Sequence, residues 1–230
     1  MRRSAFPIIL LLALTCASQA AERPQEQLNA IVRETQKQGT RSGRLTLVWW
    51  IPPEFWRVAF AASASVPMDK AEELISSIQG VNVFAVFDAK VSAFGAGDFT
   101  SAVDLEKNIT LTDQQGKPLP LIPEAKQSGA TKNMISMLKP LMANMLGEFG
   151  RNITFLVFEG KTKSGARWLD PLKPGSFTVK VNAEEFRWRL PLGSLLPDKK
   201  CPKCSETFPG NYAFCPFDAS PLTEIGNQKP

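Results

Sequence analysis

Histidine is absent from all 230 residues. Without an imidazole the chain can build no Ser-His or Cys-His nucleophile pair and offers no histidine ligand to a metal. No apolar run reaches the roughly 20 residues that a bilayer-spanning helix needs. No internal repeat is visible, and no β-α-β-α rhythm points to a parallel sheet. Lys and Arg exceed Asp and Glu by five, but they are spread along the chain rather than clustered, so the sequence predicts no nucleic-acid footprint.

What remains is ordinary globular composition, 43% hydrophobic and 21% charged, enough for one medium domain with a small appendage. The N-terminus reads as an export signal. Arg2 and Arg3 form a basic start, Ala5 to Ala17 is nearly unbroken apolar sequence, and Ser18-Gln19-Ala20 offers small residues for cleavage at Ala20 or Ala21. The alternatives are a retained segment, the only membrane contact expected, and lipid attachment at Cys16. Cleavage removes Arg2, Arg3 and Cys16, leaving three cysteines and a net charge of +3. The expected compartment is periplasmic or extracellular, where disulfides can form.

Residues 1–20 are thus expected to be a signal and 21–43 a polar leader with a short helix over Gln27–Gln36. Residues 44–196 are expected to form a β-rich domain with helices near 67–79 and 131–149. Strands are expected at 44–51 and 55–62, with Pro52-Pro53 as a stop between them. VNVFAVFD (81–88), apolar on both faces, should be central in a sheet. VSAFG and FTSAVDL are read as strands around a turn at Gly95–Asp98. NITLTD and residues 152–160 are two further strands, and SFTVKVN pairs with EEFRWRLPL around Asn182. In 131–149, Met and Leu recur at helical spacing with Pro140 as an expected break, a stripe that suits a core better than a pliable partner surface. The expected fold is mainly β (α+β): an antiparallel β-sandwich-like domain with helical insertions, then a C-terminal module at 201–222 and a tail at 223–230.

The module reads CPKCSETFPGNYAFCPFD, from Cys201 to Asp218. Cys201 and Cys204 have the spacing of a zinc knuckle, and Cys215 and Asp218 repeat it with a carboxylate in the second place. The stretch resembles the short zinc ribbons at the ends of many bacterial proteins, where C-P-x-C is followed by F-C-P-x-C or F-C-P-x-D. That resemblance covers residues 201–222 only. It implies a structural zinc held by Cys201, Cys204, Cys215 and Asp218, with Phe208, Tyr212, Phe214 and Phe217 as a small core. Ser205 and Ala219 stand where ribbons usually carry the glycine that lets the backbone turn under the metal. A disulfide with one thiol left over is the competing reading, and a C-x-x-C redox pair a third.

Three tryptophans in VWWIPPEFW are the other candidates. Trp49, Trp50 and Trp56 could form an aromatic surface for a glycan or a Pro-rich ligand, or they could be core. Strand alternation puts Trp49 and Trp50 on opposite faces, so one of them needs a helix over it or stays exposed. Ser136-x-x-Lys139 and Lys163-Ser164-Gly165 match fragments of penicillin-interacting enzymes, but the element between them is missing and chance explains them. Gly95-Ala96-Gly97 lacks the rest of a dinucleotide loop. Asp88, Asp98, Asp104, Glu184 and Glu185 could supply a carboxylate pair for an envelope hydrolase, though no spacing singles one out.

The leading expectation is an exported, non-enzymatic protein that binds a protein or glycan partner at a bacterial cell envelope, or assembles there. The rivals are that hydrolase and a thiol oxidoreductase.

Overall fold

A computed structural model describes residues 25–41, 43–63, 67–92 and 95–225. The expected signal, residues 1–20, lies outside the described residues, as do 21–24 and most of the tail. The fold is mixed α+β with open antiparallel sheets and helical insertions.

A helix over 25–35 (α1) runs straight into β1 (Gln36–Arg41), which pairs antiparallel with β2 (Arg44–Ile51). The segment expected as a polar leader therefore carries a helix and a sheet strand. Ile31 and Thr35 of α1 are fully buried. β2 ends at Pro52, and the stretch expected as the next strand is instead a helix, α2 (Pro53–Ser63). Pro53 stands at its first position, where a missing N–H costs nothing and the fixed φ suits a helix. Phe55, Val58 and Ala59 follow at helical spacing.

After α3 (Met68–Ile78) comes β3 (Val81–Ser92), the central strand expected from its two apolar faces. It pairs with β2 on one side and with β6 (Thr154–Glu159) and β4 (Gly95–Phe99) on the other. Gly95–Asp98, expected as a turn, belongs to β4 itself. Asp98 is the extra residue of a bulge there, with φ of 49°. The sequence SAVDL, expected as strand, forms α4 (Ala102–Asn108). Ser101 caps it by accepting from the Asp104 N–H while its hydroxyl donates to the Asp104 carboxylate, a reciprocal cap stronger than the local strand pattern.

β5 (Ile109–Thr112), β7 (Gly175–Val181) and β8 (Glu184–Leu190) form a second, three-stranded sheet. Between β5 and β6 lie α5 (Gly129–Leu146) and the short α6 (Glu148–Arg151). Pro140 sits inside α5, and the interruption falls at Gly147, whose φ of 58° turns the chain.

Alternation along β2 and β3 explains the layers. Trp50 and Phe84 point to one face, where their rings meet Phe177 and Trp188 of the second sheet; Phe177 and Trp188 stack 4.9 Å apart. Trp49 and Phe87 point to the other face, under helices. Trp49 donates to Thr35 of α1 and packs edge-on against Phe55 of α2, while Phe87 meets Phe149 of α6. The larger sheet is thus sandwiched between the smaller sheet and a helical layer.

An ion pair with a buried carboxylate ties the edge of this core. Asp88 is 2% exposed and accepts hydrogen bonds from Arg44, Thr46, Thr100 and Asn182, joining β2, β3 and the β7–β8 turn.

Candidate metal centre

The chain leaves β8 through residues 191–197 and enters β9 (Lys199–Lys200), which pairs with β10 (Thr207–Phe208) and β11 (Thr223–Glu224). This three-stranded ribbon carries two turns of matching construction. In the first, the Cys201 N–H donates to the Glu206 carbonyl and the Ser205 N–H to the Cys201 carbonyl. In the second, the Cys215 N–H donates to the Ser220 carbonyl and the Ala219 N–H to the Cys215 carbonyl. Ser205 and Ala219 take φ of 64° and 58°, the left-handed backbone expected of glycine at these places. The turns keep their geometry without glycine, at a cost of about 1–2 kcal/mol per residue.

Equivalent backbones give equivalent side-chain positions. Cys201 matches Cys215, and Cys204 matches Asp218. The four ligand atoms all lie within 4.8 Å of one another. Cys204 Sγ is 3.8 Å from Cys215 Sγ, and Cys201 Sγ is 3.5 Å from Asp218 Oδ2. A tetrahedral zinc with bonds of about 2.3 Å to sulfur and 2.0–2.2 Å to oxygen requires edges of about 3.8 and 3.5–3.7 Å. Two of the six edges thus have those lengths, and the cluster as a whole is compatible with a bound metal ion. Among the described residues Cys201, Cys204 and Cys215 stand as free thiols.

The electrostatics of the cluster are those of a site prepared for positive charge. Burial disfavours the Cys201 thiolate, but the backbone N–H groups of Cys204 and Lys203 and the neighbouring thiols more than offset it, so its pKa lies below an ordinary cysteine's. A backbone hydrogen bond from Glu206 favours the Cys204 thiolate. Desolvation, the hydrogen bonds with Cys201 and Cys215, and the charge of Cys201 overcome that bond and push Cys204 up to about 11. Hydrogen bonds from Ser220, side chain and backbone, hold the Asp218 carboxyl below its usual range. One negative sulfur thus makes the next harder to ionise, and a divalent cation among them reverses that.

Little else holds this module. Its buried cluster is Cys201, Phe208 and Cys215, with Leu222 packed against it. The expected aromatic core is corrected here. Only Phe208 is buried; Tyr212 and Phe217 set their rings 6.1 Å from it but, like Phe214, stay exposed, since among the described residues no second layer covers this small ribbon. Glycines let the module sit close to the main domain. A Cβ on Gly210 would come within 2.4 Å of the Leu196 Cβ and the Pro197 carbonyl, and one on Gly193 within 2.5 Å of Asn211.

The other sequence candidates fall elsewhere. Trp50 is wholly buried between the two sheets and presents no surface. Trp49 is buried under helices, and Trp56 is half-buried on α2; both border a cavity on the helical side. The five candidate carboxylates have separate surroundings. Asp88 is saturated in the core, Asp98 pairs with Lys90, Asp104 completes the α4 cap, Glu185 lies near Lys180, and Glu184 packs over Gly39. Ser136 and Lys139 are exposed on α5.

Two features were not foreseen. One is the apolar cavity beside Trp49. The other is a groove where Arg33 and Lys37 meet Arg187 and Arg189, brought together although about 150 residues separate the pairs in the sequence. The alternation of Arg187 and Arg189 on the solvated face of β8 was the one available hint. No described helix is long and apolar enough to cross a membrane. No protein-family model, no curated protein and no solved structure matches the chain.

Proposed function

We propose that the protein is an exported, non-enzymatic binding or assembly protein of a bacterial cell envelope, whose C-terminal module is clipped by a structural zinc. The observation that carries the clip is the pairing of two equivalent turns that bring the ligand atoms of Cys201, Cys204, Cys215 and Asp218 within 4.8 Å of one another. Four protein ligands close the shell and leave no open position for substrate, which favours a structural role over a catalytic one. The same ion would offset the thin core of the module, since binding free energy at such a site is folding free energy. The export half of the reading rests on the N-terminal sequence, and the non-enzymatic half on the absence of histidine and of any complete catalytic motif.

Metal content and a thiol count on the purified protein test the clip. The expected result is one zinc per chain with the thiols of Cys201, Cys204 and Cys215 protected until a chelator is added. Absence of metal together with a single titratable thiol would replace the clip by a disulfide. For export, the mass of the mature protein should correspond to cleavage at Ala20 or Ala21, and recovery from the cytoplasm at full length would end that half of the reading.

A further inference from the structure

On the helical side of the larger sheet, a cavity of about 540 Å³ lies between α1, α2, α5 and β2. That is within the range of about 300–1,000 Å³ usual for small-molecule sites. Leu28, Val32, Trp49, Phe55, Trp56 and Met142 form its wall, and none of its lining residues is acidic. It reaches the surface at α1, where Gln25, Asn29 and Arg33 are exposed on its rim.

Arg33 also borders the adjoining groove of about 450 Å³, with Lys37, Arg187 and Arg189. None of these four cations forms an ion pair among the described residues, although Lys37 lies over the Trp188 ring at 5.5 Å. Glu34, the carboxylate of that groove, offsets one of these four charges and leaves an excess of three. It accepts from the Gly193 and Ser194 N–H groups and from the Ser194 hydroxyl. An apolar chamber therefore opens beside a cluster of excess positive charge, with Arg33 at the junction.

We propose that chamber and groove are one binding site for an anionic amphiphile, a molecule with a single acyl chain and a carboxylate or phosphate head. The chain occupies the cavity and leaves water there, the main source of affinity. The head stays at the mouth, paired with Arg33 and within the field of Lys37, Arg187 and Arg189. The apolar residues are recessed rather than displayed on an outer face, which suits one extracted molecule and not a membrane surface. This assignment deepens the binding role proposed above by giving it a ligand class; it is independent of the zinc clip, which lies at the other end of the chain.

Oleate and its uncharged methyl ester are the probes, titrated into purified protein whose N-terminus has been established by mass. Trp49 and Trp56 fluorescence reports entry of the chain. Saturable binding of one oleate per chain is expected, with the ester about tenfold weaker, as loss of one charge contact implies. Arg33→Gln should weaken oleate by about tenfold and leave the ester unchanged. Ala59→Trp should fill the cavity and abolish both. Should Ala59→Trp fail to fold, Arg33→Gln still decides, because it changes only an exposed side chain. Three results would overturn the proposal: no saturable oleate binding, equal affinity for acid and ester, or displacement of oleate by inorganic phosphate alone with no role for the cavity. Zinc content should be the same in both variants, so failure here leaves the clip standing.

Discussion

In the main domain Trp50, Phe84, Phe177 and Trp188 meet in a dry layer between two sheets, whereas in the C-terminal module Tyr212, Phe214 and Phe217 stand exposed around a cluster of cysteines. The first region buries its aromatic rings because two sheets and a helical layer are available to cover them. The second has six strand residues in one layer and cannot cover its own. A small module in this position needs a staple, and its chemistry is concentrated in four ligand atoms rather than spread over apolar area. The same residue type thus has different meanings in the two regions: a phenylalanine is core in one and surface in the other.

Removing metal should separate the two most sharply. A chelator, or Cys215→Ser, should abolish backbone amide protection across residues 199–224 while the main domain keeps its melting transition. If the site holds a structural zinc, the expected loss is of the order of 10 kcal/mol within the module. Unfolding of the whole chain on chelation would show that the two regions are one cooperative unit. Zinc affinity should also fall as pH is lowered. Cys204, at about 11, holds its proton through the neutral range until metal displaces it, so affinity drops by about tenfold per pH unit for each proton released.

The reverse experiment is Trp50→Ala. It should cost the main domain about 3–5 kcal/mol, a fall of about 10 °C in its melting temperature by calorimetry, with zinc content unchanged. Asp88→Asn comes next. It removes the charge that Arg44 pairs with and should cost about 2 kcal/mol, since Arg44 keeps partial contact with water. Ser205→Gly is the smallest change and of opposite sign. Relief of a left-handed serine should stabilise the module by about 1 kcal/mol, seen as a higher chelator concentration at half-release. No gain would mean that Ser205 supplies a compensating contact.

Much of this architecture is legible in local pattern. The two apolar faces of 81–88 put β3 at the centre, and the alternation of Phe186 and Trp188 with Arg187 and Arg189 set the inward face of β8. Local signals in competition were harder. Residues 55–62 have the composition of a strand, but Pro53 opens a helix, and Phe55, Val58 and Ala59 fit its period. Residues 102–108 also look strand-like until Ser101 and Asp104 are seen to cap a helix. The tryptophans show a different limit. Alternation separates Trp49 from Trp50, yet whether Trp49 was platform or core depended on α1 and α2 being folded over it.

By itself, the sequence determined which four donor side chains come together at the C-terminus. With histidine absent, the spacing of Cys201, Cys204, Cys215 and Asp218 left one local arrangement of four donors, because turns of a few residues are set by short-range sterics. Only the tertiary structure decided which aromatic rings are dry, and that Arg33 and Lys37 face Arg187 and Arg189 beside an apolar chamber. Those contacts join segments far apart in the chain, and local periodicity states which face of a strand or helix is apolar without stating what will cover it.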